Sequence, residues 1–252
     1  APSSIPPRQG SPWLGKRRQR FVTRGKTVLE TEAGNGSPVI EVFAYGEYEL
    51  PLDWTRVHRV IDVGAHVGSF ALWVCERTPG VRIISIEPEP RNFNDLKSNI
   101  ARNQLGTRID AVNAALGAHS GTTTTLHVPM NRESGSTLAT EGTAIDATEM
   151  TLAELLERLN GPLDLLKLDC EGAEWEVLAS LDAKTWARIS RVVMECHIPE
   201  GKRVSEMTDI LVSNGLNPSV LRQGPSGVTW CNEVAVIWAE RSTADLTPSS
   251  DA

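Results

Sequence analysis

Apolar residues from position 57 onward come in short runs that alternate with longer amphipathic stretches. The apolar runs cover 57–63, 81–87, 108–116, 163–169 and 190–196. The helix-length stretches cover 68–77, 91–104, 151–160, 173–181 and 203–214. Short buried strands that alternate with helices are typical of a parallel sheet with helices on both faces. Two more strands, near 216–222 and 231–239, are predicted to add an antiparallel edge.

The two ends of the chain have a different composition. Residues 1–12 and 242–252 are rich in Pro, Ser, Gly and Thr and hold too few apolar side chains to fold by themselves. We expect a basic, flexible arm over 1–25, one domain over 26–241 with its core at 57–241, and a disordered tail over 242–252. Strand-like sequences on either side of Gly34-Asn35-Gly36 predict a β-hairpin between residues 26 and 50.

Length and composition exclude several classes of protein. A chain of 252 residues, 40% of them hydrophobic, can fill the core of one large domain. Its four cysteines form no C-x-x-C pair and no zinc-finger spacing, which argues against a disulfide scaffold or a structural zinc site. No apolar run approaches the roughly 18–20 residues that span a membrane, and the first residues given contain no apolar stretch that would predict export. We therefore expect a cytoplasmic protein without a membrane partner.

The net charge of −7 is unevenly distributed along the chain. Residues 1–26 hold seven bases and no acid, which leaves 18 bases against 32 acids in the rest. The basic arm can meet an anionic partner or fold back on the acidic body. The acidic body argues against nucleic acid as the main substrate.

Acidic residues end most of the predicted parallel strands. In open parallel sheets, ligands bind beyond the carboxyl ends of the strands. The residues there are Asp62, Glu87, Asn113, Asp169 and Glu195. One acid in such a place can be a helix N-cap, but four acids at five strand ends favour a ligand-binding role.

The first strand leads into a D-x-G-x-x-x-G loop formed by Asp62, Gly64 and Gly68. Glycines between a strand and a helix allow a tight turn and a close approach to a ligand. The loop differs from the G-x-G-x-x-G dinucleotide fingerprint, because His66 occupies the second glycine position and Asp62 would repel a pyrophosphate. Glu87 ends the next strand, where an acid can accept both hydroxyls of a ribose. Together these features suit a nucleoside that carries a cation, which describes S-adenosylmethionine.

Four segments between residues 57 and 197 carry a resemblance to a known family. They are VIDVGAHVGSFAL, IISIEPEPRNFNDLKSNI, VNAALG and LDLLKLDCEGAEWEVL. They resemble the FkbM family of S-adenosylmethionine-dependent methyltransferases, most specifically at 167–174, which is similar to that family's K-[IL]-D-x-E-G-x-E signature. The resemblance implies the class I methyltransferase fold, a Rossmann-like seven-stranded sheet, and O-methylation of sugars or natural-product hydroxyls.

Carried over by position, the resemblance implies a cofactor site at the strand ends. Asp62 and the two glycines of the loop would line the methionine end, Glu87 would hold the ribose, and Asp169 would lie near the sulfonium. Three positions depart from the family pattern: His66 stands where Asn is frequent, Cys170 where Val is usual, and Ala153 where an acid is commoner. The implied cofactor-binding residues are Asp62, Gly64, Ala65, His66, Gly68, Ser69, Phe70, Glu87, Pro88, Asn113, Ala114 and Asp169.

Four residues are candidates for removing the proton of an acceptor hydroxyl: Asp169, Glu171, Glu195 and His197. His197 has a pKa range suited to a general base near neutral pH, but it can equally be a buried histidine bonded to a loop. Glu171 can instead cap the following helix. Asp169, Glu195 and His197 can alternatively hold Mg²⁺, which would activate the hydroxyl. A non-catalytic nucleoside-binding module remains a further alternative.

The loops are expected to decide which acceptor is used. The Ser/Thr/Gly-rich stretch 129–147 is too long for a simple connection, and with residues 13–50 it is predicted to form a lid over the substrate. The resemblance alone implies a small-molecule or glycan acceptor. The sequence leaves the oligomeric state open and is compatible with a homodimer.

Overall fold

The computed structural model describes residues 17–129, 136, 139, 141–225 and 231–242. Most of the predicted basic arm and nearly all of the predicted tail lie outside the described residues, so the domain boundaries stay a prediction.

The strands follow the predicted runs and add several that the sequence pattern did not reveal. In chain order they are β1 (Arg18–Val22), β2 (Val28–Glu32), β3 (Arg59–Val63), β4 (Arg82–Ile86), β5 (Ile109–Val112), β6 (Ala115–Leu116), β7 (Thr123–Val128), β8 (Thr143–Met150), β9 (Leu165–Leu168), β10 (Arg191–Ile198), β11 (Leu216–Pro225) and β12 (Glu233–Arg241).

The helices also follow the predicted stretches. They are α1 (Ser37–Ile40), α2 (Ser69–Arg77), α3 (Pro90–Arg102), α4 (Leu152–Leu159), α5 (Glu174–Ser180), α6 (Ala183–Ala187) and α7 (Val204–Ser213), with a π-helical turn at Glu41–Tyr45 and a 3₁₀ turn at Trp54–Arg56. The short α6 was not predicted. Within the described part of the chain, no helix is long and apolar enough to cross a membrane.

A seven-stranded sheet organises the domain, in the order β11-β12-β10-β9-β3-β4-β5. The strands from β10 to β5 are parallel, whereas β12 pairs antiparallel with both β10 and β11. This confirms the predicted α/β class and the predicted antiparallel edge. Because the parallel strands share one direction, the carboxyl ends of β3, β4, β9 and β10 meet at one end of the sheet.

Two apolar clusters hold the sheet between its helices. One contains Leu155 of α4 with Leu166 and Val192 of the sheet. The other contains Trp73 of α2 with Ile83 of β4. Apolar burial stabilises the folded state by roughly 25 cal/mol per Å². These clusters therefore hold the strands, and with them the strand ends, in fixed positions. Thr151 and Glu154 form a capping box at the start of α4.

An N-terminal hairpin is present, but its position differs from the prediction. Its strands are β1 and β2, paired from Arg18 with Glu32 to Val22 with Val28. The predicted second strand between 38 and 50 is wrong, because this segment forms α1 and the π-helical turn. Pro38 favours this outcome, since its fixed φ suits the first turn of a helix and it lacks an N–H donor for a strand ladder.

A second hairpin replaces part of the predicted loop 129–147. Residues 143–147 belong to β8, which pairs antiparallel with β7 from Thr123 with Thr148 to Val128 with Thr143. The sequence concealed these strands because their outer positions are Thr and Asp rather than apolar residues. Their inward-facing side chains Leu126, Val128 and Ala147 form a small apolar cluster.

Candidate functional site

A cleft of about 260 Å³ opens at the carboxyl ends of the parallel strands. Of the predicted site residues, eleven line it: Gly64, Ala65, His66, Ser69, Phe70, Glu87, Pro88, Ala114, Asp169, Glu171 and Glu195. Asp62, Gly68, Asn113 and His197 are not among the lining residues. Asp62 and His197 lie one layer deeper, and Asn113 donates from its side chain to the carbonyls of Glu87 and Pro88.

Gly64 brings two strand ends into direct contact. Its φ is +70°, and a Cβ at this position would lie 1.8 Å from the backbone oxygen of Asp169. The N–H groups of Gly64 and Ala65 both donate to the carbonyl of Ile86, at 3.1 and 3.0 Å. The loop after β3 is therefore wedged between the end of β4 and the loop after β9, and only glycine fits there.

Glu87 lies at the end of β4 with its carboxylate fixed by backbone donors. The amide of His66 donates to Oε2 at 2.8 Å and the amide of Glu89 donates to Oε1 at 2.9 Å. Burial raises the pKa of Glu87 to about 7, although both amides oppose the shift. The carboxylate is thus a pre-oriented acceptor for two hydroxyl donors.

The N-terminal segment completes the wall beside Glu87. His66 Nε2 hydrogen-bonds Asn35 Oδ1 at 2.9 Å, and Asn35 Nδ2 donates to Thr31 of β2 and to Asn92 of α3. The segment after Asn35 contributes lining side chains that the sequence did not single out: Pro38, Glu41, Val42, Glu47 and Tyr48. These residues fall within the region 13–50 that was predicted as a lid, and whether they move over a substrate stays a prediction. Thr124, Leu126 and Val128 of β7 line the cleft as well.

Lys167 is a buried cation that the motif contains but that sequence reasoning gave no role. Its Nζ donates to the carbonyls of Val63 and Gly64, both at 2.9 Å, and lies 3.4 Å from Asp169 Oδ2 and 3.5 Å from Asp62 Oδ1. Burial lowers the pKa of Lys167, but the charges of the two aspartates outweigh it and raise the pKa above its ordinary value. Burial raises the pKa of Asp62, against the opposing effect of Lys167.

His197 lies beneath the cleft among three carboxylates. Its Nδ1 is 3.4 Å from Glu174, and its Nε2 is 3.3 Å from Glu171 and 3.8 Å from Glu195. Burial lowers the pKa of His197, but the hydrogen bond and charge of Glu174 and the charge of Glu171 outweigh this and raise it to about 10. The ring is therefore protonated at neutral pH, and this geometry does not favour the expected role as a neutral-pH base.

The structure explains the third acid of the signature, Glu174. It is wholly buried and accepts hydrogen bonds from the amides of Cys170 at 2.9 Å and Gly172 at 3.0 Å. It thereby braces the loop that carries Asp169 and Glu171. Glu171 does not cap α5, because the N-cap residue is Ala173 and no side chain bonds there.

The side of the cleft formed by Asp169, Glu171 and Glu195 is strongly acidic. Burial and the charge of Asp169 raise the pKa of Glu195 to about 8, and burial likewise raises that of Glu171 to about 8. Glu47 also has a raised pKa through burial and Asp169, opposed by Arg222, whose Nη2 lies 3.1 Å from it. Carboxylates with raised pKa values accept protons more readily than ordinary ones.

The predicted metal ligands Asp169, Glu195 and His197 are brought together, with ligand atoms within 4.8 Å of one another. An imidazole must lose its ring proton to bind a metal, whereas the pKa of His197 is raised to about 10. Mg²⁺ also prefers oxygen ligands. This donor set does not fit Mg²⁺ well.

Comparison with known proteins identifies similar chains. The family model "Methyltransferase FkbM domain" matches residues 62–216. The chain is 28% identical over 177 residues to methyltransferase sdnD of Sordaria araneosa, covering 57% of this chain and 68% of that protein. It is 31% identical over 187 residues to 31-O-demethyl-FK506 methyltransferase FkbM of Streptomyces tacrolimicus, covering 62% of this chain and 71% of that protein.

A solved structure shares the fold. The crystal structure of methyltransferase FkbM from Methylobacillus flagellatus KT matches with a TM-score of 0.51 at 14% identity, covering 80% of this chain and 47% of that one. The predicted class I methyltransferase architecture is thereby confirmed, and the match between 62 and 216 extends from the end of β3 to the start of β11.

Proposed function

Because the chain belongs to the FkbM family of S-adenosylmethionine-dependent methyltransferases, we propose that it methylates a hydroxyl of a sugar or another natural product. The Streptomyces relative supports an oxygen acceptor, since its name specifies an O-demethyl substrate. The observation that carries the proposal is the cleft itself, in which Glu87 faces a nucleoside-sized space on one side and carboxylates line the other.

The residues around Glu87 suit S-adenosylmethionine. Each carboxylate oxygen of Glu87 accepts one backbone N–H and keeps a further lone pair for a ribose hydroxyl. Gly64 allows the backbone to approach the methionine portion, and Ala114 leaves room beside the adenine. The acidic lining suits the sulfonium and ammonium charges. When bound, the cofactor supplies a methyl group activated by its positively charged sulfur.

Asp169 and Glu195 are the proposed proton acceptors. Both line the cleft, and their side chains are partly exposed to it. Glu171 is closer to His197, at 3.3 Å against 3.8 Å for Glu195, and is engaged with that ring. In the transfer, a new carbon–oxygen bond would replace the carbon–sulfur bond of the cofactor, which would leave as S-adenosylhomocysteine. The hydroxyl proton would pass to whichever of these two carboxylates is ionised, which for Glu195, with a pKa of about 8, requires alkaline pH.

Three buried residues position this pair. The protonated His197 holds Glu171 and Glu195 from below, Glu174 braces the loop after β9, and Lys167 joins that loop to Gly64. Groups held by such contacts reach the reacting atoms without reorganising, which is the main requirement for an in-line transfer.

The first test is calorimetric titration with S-adenosylmethionine, with S-adenosylhomocysteine and, for comparison, with NADH, each in the presence of EDTA. We expect binding of the first two only. Glu87→Gln should weaken both by roughly 10- to 100-fold, the scale of lost charge-assisted hydrogen bonds. Glu157→Gln is the matched control, because Glu157 is exposed and pairs with Arg188 outside the cleft. Folded protein that binds neither would overturn the cofactor assignment.

The second test measures transfer of labelled methyl to hydroxylated sugars and natural products. Glu195→Gln should lower turnover while leaving cofactor binding intact. Methylation of amines in preference to hydroxyls would contradict the O-methyl assignment. Cofactor binding without transfer to any acceptor in the panel would favour a nucleoside-binding module, and activity that requires added Mg²⁺ would favour the metal-dependent variant.

A further inference from the structure

A row of arginines crosses the amino ends of three neighbouring parallel strands. Arg59 at the start of β3 is in register with Arg82 at the start of β4. Arg108 directly precedes β5, and its carbonyl accepts a hydrogen bond from the amide of Ile83 at 2.8 Å. Like charges on adjacent strands destabilise a sheet unless something compensates them. This row therefore calls for an opposite charge.

The three arginines line a second cleft of about 400 Å³, which we call the arginine cleft. Its other polar lining residues include Thr107, Asp110 and Arg158. Asp110 is already paired, because Arg158 Nε and Nη2 donate to its two oxygens at 2.5 and 2.9 Å. The acid of the arginine cleft is thus used by the fourth arginine and does not compensate the other three.

The contacts of the three arginines leave most of their donors unused. Arg82 Nη1 donates to the carbonyl of Thr107, and Arg108 Nη2 donates to the carbonyls of Thr78 and Cys75 near the end of α2. These carbonyls are neutral, and Arg108 Nε is buried without a hydrogen-bond partner. Each guanidinium has five N–H donors. Within the part of the chain that the structure describes, none of the three has a carboxylate within ion-pair distance.

The acid just before β9, the other neighbour of β3 in the sheet, is committed elsewhere. Asp164, which precedes β9, accepts the backbone amides of His58 and Arg59 at 2.7 and 2.9 Å and does not line the arginine cleft. The C-terminal ends of helices carry partial negative charge, which accounts for the contact of Arg108 with α2. It leaves Arg59 and Arg82 uncompensated.

We propose that the arginine cleft binds a phosphate-bearing anion, specifically a diphosphate group held by Arg59, Arg82 and Arg108. Guanidinium groups match phosphate oxygens with paired hydrogen bonds. Adjacent strands lie about 4.8 Å apart, so the row extends over roughly 10 Å, more than one phosphate covers. Two linked phosphates fit this length and supply the opposing charge.

This site is separate from the methyltransferase cleft. It lies at the amino ends of β3 and β4, whereas the other cleft lies at their carboxyl ends. A strand rises about 3.3 Å per residue, so the two ends of β3 are on the order of 13 Å apart. The anion is therefore neither the methyl acceptor nor the cofactor, and its binding stabilises the folded chain by compensating the arginine row.

The test is calorimetry and thermal unfolding with sodium pyrophosphate at constant ionic strength, with inorganic phosphate and sodium chloride as comparison anions. We expect saturable pyrophosphate binding at one site and a raised unfolding temperature. Arg59→Gln should weaken that binding roughly 10-fold or more, the scale of a hydrogen bond to a charged group. Arg59 is the preferred variant because no side-chain hydrogen bond holds it among the described residues.

Arg24→Gln is the matched control, since Arg24 is exposed in the turn after β1 and its loss changes the net charge equally. It should change pyrophosphate binding less than twofold, and neither variant should change S-adenosylmethionine binding. Three results would each overturn the proposal: no saturable binding at millimolar pyrophosphate, an equal weakening in Arg24→Gln, or displacement of pyrophosphate by S-adenosylmethionine.

Discussion

Replacing Lys167 by methionine is the most informative single change near the loop after β3. Methionine keeps much of the apolar stem but removes the charge that lies 3.5 Å from Asp62 and the donor that holds the carbonyls of Val63 and Gly64. Asp62 is wholly buried, and its other polar contact is the hydroxyl of Ser85 at 3.4 Å. The variant therefore leaves a carboxylate inside the core without a cation.

The expected cost can be derived from this contact. Breaking a buried ion pair by removing one partner costs about 3–5 kcal/mol, because the remaining charge is uncompensated. Domains of this kind are stable by roughly 5–15 kcal/mol, so the variant should fold but unfold at a much lower urea concentration. Replacing Asp62 by asparagine in the same chain removes the buried charge, and the double variant should regain more than half of the loss.

The loss of stability in Lys167→Met should depend on pH. Burial already raises the pKa of Asp62, and without Lys167 that pKa rises further. A carboxyl whose folded pKa exceeds its unfolded value near 3.8 takes up a proton on folding, so its protonated form favours the folded state at lower pH. The difference in unfolding free energy between wild type and Lys167→Met should therefore shrink from pH 8 to pH 5.

The assay is urea unfolding followed by tryptophan fluorescence at pH 5, 6.5 and 8. Lys97→Met is the control, because Lys97 is exposed on α3 and its replacement removes the same charge from the chain. The reasoning is refuted if Lys167→Met costs less than about 1 kcal/mol, if its deficit grows as the pH falls, or if the double variant is no more stable than the single one.

Three further predictions test individual residues of the cleft. The affinity for S-adenosylmethionine, measured by calorimetry, should rise from pH 6 to pH 8, because the pKa of Glu87 is about 7 and its ionised form accepts both ribose hydroxyls. Glu87→Gln should remove this dependence of affinity on pH, and a retained dependence would count against the assignment. Gly64→Ala should abolish cofactor binding, because its Cβ would lie 1.8 Å from the backbone oxygen of Asp169. The control Gly80→Ala has a similar positive φ with no atom within 4 Å, and it should lose only about 1–3 kcal/mol of unfolding free energy through strain. Equal unfolding free energies for the two variants would contradict the clash. His197→Gln should destabilise the chain at pH 7, and the difference in unfolding free energy from wild type should close by pH 10.5. The raised pKa of His197 contributes stability that is fully present below pH 6.5 and is lost as the pH rises through about 10. A difference in urea unfolding that stays constant with pH would show that the charge is irrelevant.

The fold was accessible from the sequence because the sheet is buried on both faces. Parallel strands covered by helices appear as short continuous apolar runs, and the residue that ends each run falls at the ligand-binding end. This is why Glu87, Asp169 and Glu195 were predicted at the cleft and are found there. The β7–β8 hairpin gave no such signal, since its outer face is formed by threonines and acids.

Contacts between residues far apart in the chain were harder to predict from the sequence than the residues at the strand ends. Asn35 reaches His66 across 31 positions in the chain, and Lys167 reaches Gly64 across 103. Neither pair leaves a periodic pattern. The protonation of His197 likewise depends on three carboxylates that meet only in the folded chain, so its expected role as a neutral base was inferred from the ordinary pKa of histidine alone.

The loop after β9 shows why spacing alone cannot assign such roles. Glu171 and Glu174 are both acids of one signature, but only Glu171 was predicted as a site residue, and Glu174 was given no role. Glu171 has a φ of +55° and Gly172 a φ of +104°, so the chain reverses between them. This reversal points the Glu174 carboxylate back onto the amides of Cys170 and Gly172 and leaves Glu171 at the cleft. A glycine in the signature indicates that such a turn exists, but only the handedness of the backbone decides which acid braces the loop and which one lines the cleft.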